Sequence, residues 1–266
     1  MRFPMSNHSK VNLLGMQLDA LDMQQAVDTV WQWREANQPA TCRYVVTPNV
    51  DHAVMLQANR RLQDAYAGAG LVLADGAPIV WASRLLRRPV PERVAGSDLA
   101  PALFAHAARL HAAGTLDQPL RVFLLGAAPG VADRAAGKIA HRWPGVEIAG
   151  TLSPPLGFEH DAAENQRIVD AVNAAAPDVV LLGLGAPKQE LWISEHASQL
   201  RVPAVLCIGA TIDFLAGEKR RAPRWMQRVG LEWFHRLATE PRRLAARYAR
   251  DAWVFPRLLW RDWRGC

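Results

Sequence analysis

The stretch DVVLLGLGAPKQE, residues 178–190, decides how the rest of the chain is read. Asp178–Leu182 open it with a near-continuous apolar run. Gly183-Leu184-Gly185-Ala186-Pro187 then breaks the run, and Lys188, Gln189 and Glu190 begin a helical pattern. An apolar run without alternation fits a parallel strand buried on both faces. The same order of strand, Gly/Pro/Asn/Asp junction and amphipathic helix recurs along the chain. Its other strands are expected at Arg43–Thr47, Leu71–Ala74, Leu120–Leu125, Val146–Ala149 and Pro203–Ile208, after a short strand or hairpin over 11–18 and helical spacing from Met23 to Trp31. The fold class is therefore α/β: a Rossmann-like parallel sheet flanked by helices, which binds ligands at the carboxyl ends of its strands.

Four strand ends share a chemistry. Thr47-Pro48-Asn49, Asp75-Gly76-Ala77-Pro78, Gly126-Ala127-Ala128-Pro129 and Gly183 to Pro187 each lead into a helix, with Asn49 placed to cap its helix. Proline suits the first helical turn, where its missing N–H needs no partner. Each junction presents free backbone N–H groups to an anion such as phosphate, although turn chemistry alone also accounts for any one of them.

Past about residue 216 the strand pattern stops, dividing the chain into a core over 1–215 and an appendage over 216–266. The appendage carries 13 Lys/Arg against 5 Asp/Glu, a net of +8, whereas the other residues carry 18 against 20. It also holds five of the ten tryptophans and reads as short helices interrupted at Pro223, Pro241 and Pro256. A basic, Trp-rich end fits an anionic, apolar boundary such as the inner leaflet of a membrane; a solvated basic face with Trp in ordinary packing is the alternative. No run reaches the ~20 apolar residues of a membrane span. The polar start (Met1–Lys10) does not resemble a signal peptide, and Cys42, Cys207 and Cys266 have no metal-site or disulfide spacing. The expected location is cytoplasmic, peripheral on the inner membrane face.

Familiar nucleotide motifs fail. Gly183 and Gly185 begin a G-x-G, but Lys188 stands where the dinucleotide fingerprint needs its third glycine, which argues against a nicotinamide-dependent oxidoreductase. There is no P-loop and no Asp-x-Asp; Glu159-His160-Asp161 reads as a helix cap. No metal or cofactor is therefore expected. The basic excess is confined to an amphipathic end, which argues against a nucleic-acid-binding protein. Asp75, which ends an apolar strand and precedes a glycine, is placed as a general base on a rigid element or as a helix cap. Gln189 and Glu190 either reach a ligand or solvate a helix start, and Asp213 either accepts from a ribose or uracil or caps a helix.

Taken together, TPN at 47–49, ADG at 74–76, RVAGSDL at 93–99, GLGAPKQE at 183–190, and GATIDFLAGEKRRAP followed by LEWFHRLATEPRR resemble the WecG/TagA/CpsF family from about residue 11 to 250. The resemblance implies a metal-independent inverting glycosyltransferase that takes a UDP-sugar donor and a polyprenyl-diphosphate-linked sugar acceptor. It assigns Asp75 as base, with Thr47 and Asn49 lining the acceptor and sugar pocket. Gln189 would contact the donor sugar or diphosphate, and Asp213 the nucleoside. Arg93, Ser97, Gly126, Gly183, Gly185, Lys188 and Glu190 join the expected substrate-binding set. Arg236 and Arg243 would fold over the pocket and stabilise departing UDP. Ala245 and Ala246 stand where relatives often carry aromatic or basic residues, so Arg242 or Arg247 takes the third basic duty. TPNVDH and the Trp-rich tail lean towards exopolysaccharide glucosyltransferases. A UDP-sugar sensor is the non-enzymatic alternative, and the oligomeric state is left open.

Overall fold

The structure, a computed structural model, describes residues 8–36 and 42–264; the start of the expected polar N-terminal segment and Cys266 lie outside it. The chain opens with an antiparallel hairpin, β1 (Lys10–Leu13) and β2 (Met16–Asp19), closed by Leu14 and Gly15 at φ 54° and 79°. Positive φ at both central residues matches the right-handed twist of the flanking strands. Asp22 then caps α1 (Met23–Glu35) in a reciprocal capping box with Gln25. The chain continues through β3 (Arg43–Val46), α2 (Val50–Leu56), α3 (Arg60–Ala67), β4 (Leu71–Val72), α4 (Ala77–Leu85), α5 (Gly96–Ala112), β5 (Leu120–Gly126), α6 (Val131–Arg142), β6 (Val146–Leu152), α7 (Ala162–Ala175), β7 (Val179–Gly183), α8 (Lys188–His196), β8 (Ala204–Cys207) and α9 (Thr211–Ala216). It ends with α10 (Arg224–Arg228), α11 (Glu232–Thr239) and α12 (Pro241–Arg264).

Strands β3 to β8 form one parallel sheet in the order β4-β3-β8-β7-β5-β6. Alternate residues of each strand enter different cores. Val46, Phe123, Leu125, Val180, Leu182 and Val205 pack on one face, and Val45, Val122, Leu124, Val179, Leu181 and Leu206 on the other. Each such side chain contributes about 1.5–3 kcal/mol by leaving water, and burial of both faces is why the strands read as unbroken apolar runs.

Two expectations need correction. Pro256 does not interrupt the tail: α12 runs unbroken through it for 24 residues. The lost hydrogen bond and ring clash cost about 3 kcal/mol, but Leu258 is buried and Val254, Phe255 and Leu259 pack against the core, which holds the helix together. The glycine–proline junctions are also less uniform than expected. Pro129 does not start a helix, because α6 begins at Val131 after a left-handed Gly130, and Pro187 precedes α8 as its cap. At Gly126 the reason is spatial: a Cβ there would lie 2.5 Å from the Gly183 carbonyl oxygen of the neighbouring strand. Asn49 and Asp161 cap α2 and α7 as expected.

Candidate active site

Sheet register creates the site. Val46 pairs with Val72 across β3 and β4, so Asn49 and Asp75 each lie three residues beyond a matched pair, at the same rim of the sheet. The Asp75 backbone N–H donates to the Pro48 carbonyl at 2.9 Å, tying the two loops together. Asp75 itself lies three residues past the end of its two-residue strand, on the loop that enters α4. The start of α5 closes the same rim. A Cβ on Gly96 would lie 3.0 Å from the Ile208 Cα and 3.2 Å from Thr47 Oγ1, so only glycine lets α5 approach and bring Ser97 and Asp98 to the site.

The C-terminal helices cover this rim and enclose a cavity of about 370 Å³. Its floor holds Asn49, Asp75, Arg93 and Ser97; its roof holds Arg236, Arg243, Arg247 and Tyr248. Two contacts position the roof. At Gly230, φ +75°, a Cβ would lie 2.5 Å from the Ala77 Cβ, so the tail rests directly on α4. An ion network bridges α5 and α11: Arg221 pairs with Asp98 (2.5 Å) and Glu232 (3.2 Å), and Arg93 pairs with Asp98 (2.9 Å) and Glu232 (3.3 Å). Farther along, Asp51 on α2 receives Arg247 (3.3 Å) and Arg250 (2.5 Å) from α12.

The electrostatics of Asp75 follow from this enclosure. Loss of water raises its pKa from 3.8 to about 6, against the lowering pull of Arg93, 3.9 Å away, and of Arg236; Glu232 adds to the rise. A carboxyl poised there exchanges a proton near neutral pH and can accept one from a hydroxyl. The three roof arginines differ in their commitments. Arg243 pairs with Glu240 at 2.6 Å and Arg247 with Asp51. Arg236 meets no carboxylate among the described residues and stacks 5.5 Å from the Phe214 ring centre, leaving its charge available to a ligand anion.

The structure thus gathers Asn49, Asp75, Arg93, Ser97, Arg236, Arg243 and Arg247 in one cavity. The other expected residues do not line it. Gly126, Gly183 and Gly185 lie at the ends of β5 and β7, and Asp213, in the first turn of α9, lies 3.7 Å from Lys219. Lys188 pairs with Glu159 at 2.6 Å, and Arg242 is exposed at the start of α12, off the cavity wall. Thr47 is buried, with its hydroxyl 3.5 Å from the Cys207 carbonyl. Gln189 and Glu190 neither solvate the helix nor reach the cavity; both side chains are buried beneath the rim, joined by a 2.8 Å hydrogen bond.

Sequence reasoning missed the α12 wall, where Asp251, Ala252, Phe255 and Pro256 line the cavity, because their spacing only becomes one face once the helix passes Pro256. It also gave no role to Asp51 and His52, although both stand in TPNVDH, two and three residues past Asn49. The five tail tryptophans are all 45–69% exposed; Trp233 packs edge-on against Phe234 and Tyr248 and lines the cavity, whereas Trp225, Trp253, Trp260 and Trp263 do not line it. Among the described residues no helix is long and apolar enough to cross a membrane.

Comparison with known proteins agrees with this architecture. The chain is 29% identical over 242 residues to N-acetylglucosaminyldiphosphoundecaprenol N-acetyl-beta-D-mannosaminyltransferase of Staphylococcus aureus strain NCTC 8325 / PS 47, covering 90% of this chain and 88% of that protein. The protein of the same name from strain COL gives the same identity and coverage. A profile described as "Glycosyl transferase WecG/TagA/CpsF family" matches residues 11–265. The chain belongs to the WecG/TagA/CpsF family of glycosyltransferases.

Proposed function

We propose that the protein transfers a sugar from a UDP-sugar to a hydroxyl of a polyprenyl-diphosphate-linked sugar, with inversion and without a metal, at the inner face of the cytoplasmic membrane. The observation that carries this reading is the pairing, in one cavity, of a carboxyl whose pKa lies near 6 with an uncommitted guanidinium, Arg236. Asp75 takes the proton of the acceptor hydroxyl as its oxygen attacks the anomeric carbon from the face opposite UDP. The bond from that carbon to the diphosphate oxygen breaks, and the departing charge is met by Arg236, assisted by Arg243. Arg247 fills the third basic position better than Arg242, since it lines the cavity.

The donor nucleotide is assigned to the glycine-rich ends of β5 and β7, with Asp213 at the nucleoside and Lys188 near the phosphates. Arg236 bridges that region and the cavity, because it stacks on Phe214, next to Asp213. The exposed Trp253, Trp260 and Trp263, interspersed with Arg257, Arg261 and Arg264 on α12, support peripheral membrane binding at about 1 kcal/mol per engaged basic residue. The curated relatives are named for N-acetylmannosamine transfer to an N-acetylglucosaminyl lipid. That pair, together with UDP-glucose as donor, forms the core of the test panel. Incubation with short-chain polyprenyl-diphosphate sugars should release UDP and yield a product heavier by one sugar, with and without a chelator. Absence of transfer from every donor would overturn the assignment, and strict dependence on added Mn²⁺ would overturn its metal-free chemistry.

A further inference from the structure

One buried polar cluster is not used by the chemistry above. His52 and Glu190 each occupy the third position of a helix, α2 and α8 respectively, and are 6% and 1% exposed. His52 Nε2 lies 3.4 Å from Glu190 Oε1. On the other side of the ring, Nδ1 lies 3.0 Å from Asn49 Oδ1. That Asn49 atom also accepts the His52 backbone N–H at 3.4 Å, which identifies it as the oxygen. Two acceptors would repel at 3.0 Å, so Nδ1 carries the proton and donates; Nε2, which faces the Glu190 carboxylate, is protonated by the same argument, so the ring is an imidazolium paired with Glu190. The Asn49 backbone N–H, 3.4 Å from the same nitrogen, is then left without a hydrogen bond to it.

The line extends beyond the pair. Gln189 Nε2 donates to Glu190 Oε1 at 2.8 Å, and the Gly209 N–H donates to Gln189 Oε1 at 3.2 Å. Helix capping alone requires only the Asn49 side chain and a backbone N–H; it gives no reason to bury an ionisable pair whose desolvation is costly. Nε2 meets Oε1 as an ion pair rather than in hydrogen-bond geometry, and Glu190 Oε2 has no hydrogen-bond partner among the described residues, a cost that a purely structural cluster would avoid. With the His52 backbone N–H and Nδ1–H both spent on Oδ1, the Asn49 Nδ2 hydrogens are the part of that carboxamide left for the cavity, beside Asp75.

We propose that His52, held by Glu190, is a positioning residue that fixes the Asn49 carboxamide with its N–H donors towards an oxygen of the acceptor sugar. The proposal rests on the functional reading above for the identity of that acceptor, and on geometry alone for the orientation of Asn49.

The test has two arms. In the first, ¹⁵N-histidine NMR identifies the His52 signal by its loss in His52→Leu, or by its shift in Glu190→Gln should the leucine variant not fold. A protonated Nδ1 is expected, and an unprotonated one overturns the proposal. In the second, His52→Leu should raise the acceptor KM about tenfold, the effect of one lost hydrogen bond, with the donor KM unchanged. His52→Asn, whose side-chain N–H takes the place of Nδ1–H, should recover most of that loss. Equal losses in the two variants, or equal effects on both substrates, overturn the proposal. If the wild-type protein transfers no sugar, the functional reading fails, and the protonation of Nδ1 alone decides the role of His52.

Discussion

Glu232 sits 3.3 Å from the Arg93 guanidinium, so that a carboxylate from the C-terminal helices holds the cation that also stands 3.9 Å from Asp75. The tail thereby acts on the proposed base through a core arginine as well as through its own arginines. Removing Glu232 takes away a charge that raises the Asp75 pKa and releases Arg93 to pair with Asp75 more closely.

The first prediction concerns pH. A base with a pKa of about 6 must be ionised to act, so kcat/KM should rise through that value and level off above it. Glu232→Gln should move the midpoint to lower pH, as both consequences favour the carboxylate. Because burial raises this pKa from 3.8, the contribution of Asp75 to folding stability runs the other way. It is complete below about pH 4 and is lost as pH rises through 6. A pH–rate profile unchanged by the substitution would detach Glu232 from the base.

Asp75→Asn keeps shape and size but cannot accept the proton. Transfer should fall to background while UDP still binds, as read by calorimetry. Substantial residual turnover would require another base.

Arg236→Ala should lower turnover by about 10²–10³, or roughly 2.7–4 kcal/mol, by analogy with loss of an oxyanion donor. Arg243→Ala should also impair turnover, but by less than Arg236→Ala, since Glu240 already neutralises Arg243. Single-turnover rates at saturating donor separate this from weaker binding, and equal losses would refute the distinction.

Replacing Trp253, Trp260 and Trp263 together with serine should abolish co-sedimentation with anionic liposomes. Transfer to a water-soluble, short-chain acceptor should be preserved, because none of the three lines the cavity. Loss of transfer in both assays would mean that these rings support the fold.

Much of the sheet was legible because a strand buried on both faces leaves an unbroken apolar run, and all six runs became strands. Asp75, Asn49 and Ser97 were legible through the motifs that carry the family resemblance, and the structure places all three on the cavity. The path of α12 was not legible, since Pro256 breaks a helix by local rules and only packing of Phe255, Leu258 and Leu259 overrides them. Nor was the burial of Gln189 and Glu190. A polar pair at a helix start ordinarily faces water, and the partner that draws Glu190 inward, His52, lies far away in the chain.

Near its far end, α12 meets the opening hairpin: Asp262 accepts the Leu14 N–H at 2.8 Å, and Leu258 shares a core with Leu13 and Leu14. Deleting everything past residue 216 would therefore uncover leucines at the opposite end of the polypeptide, besides removing the arginines. Inactivity of such a truncation would confound a damaged scaffold with missing chemistry. The dissection of this enzyme therefore belongs to single side-chain replacements.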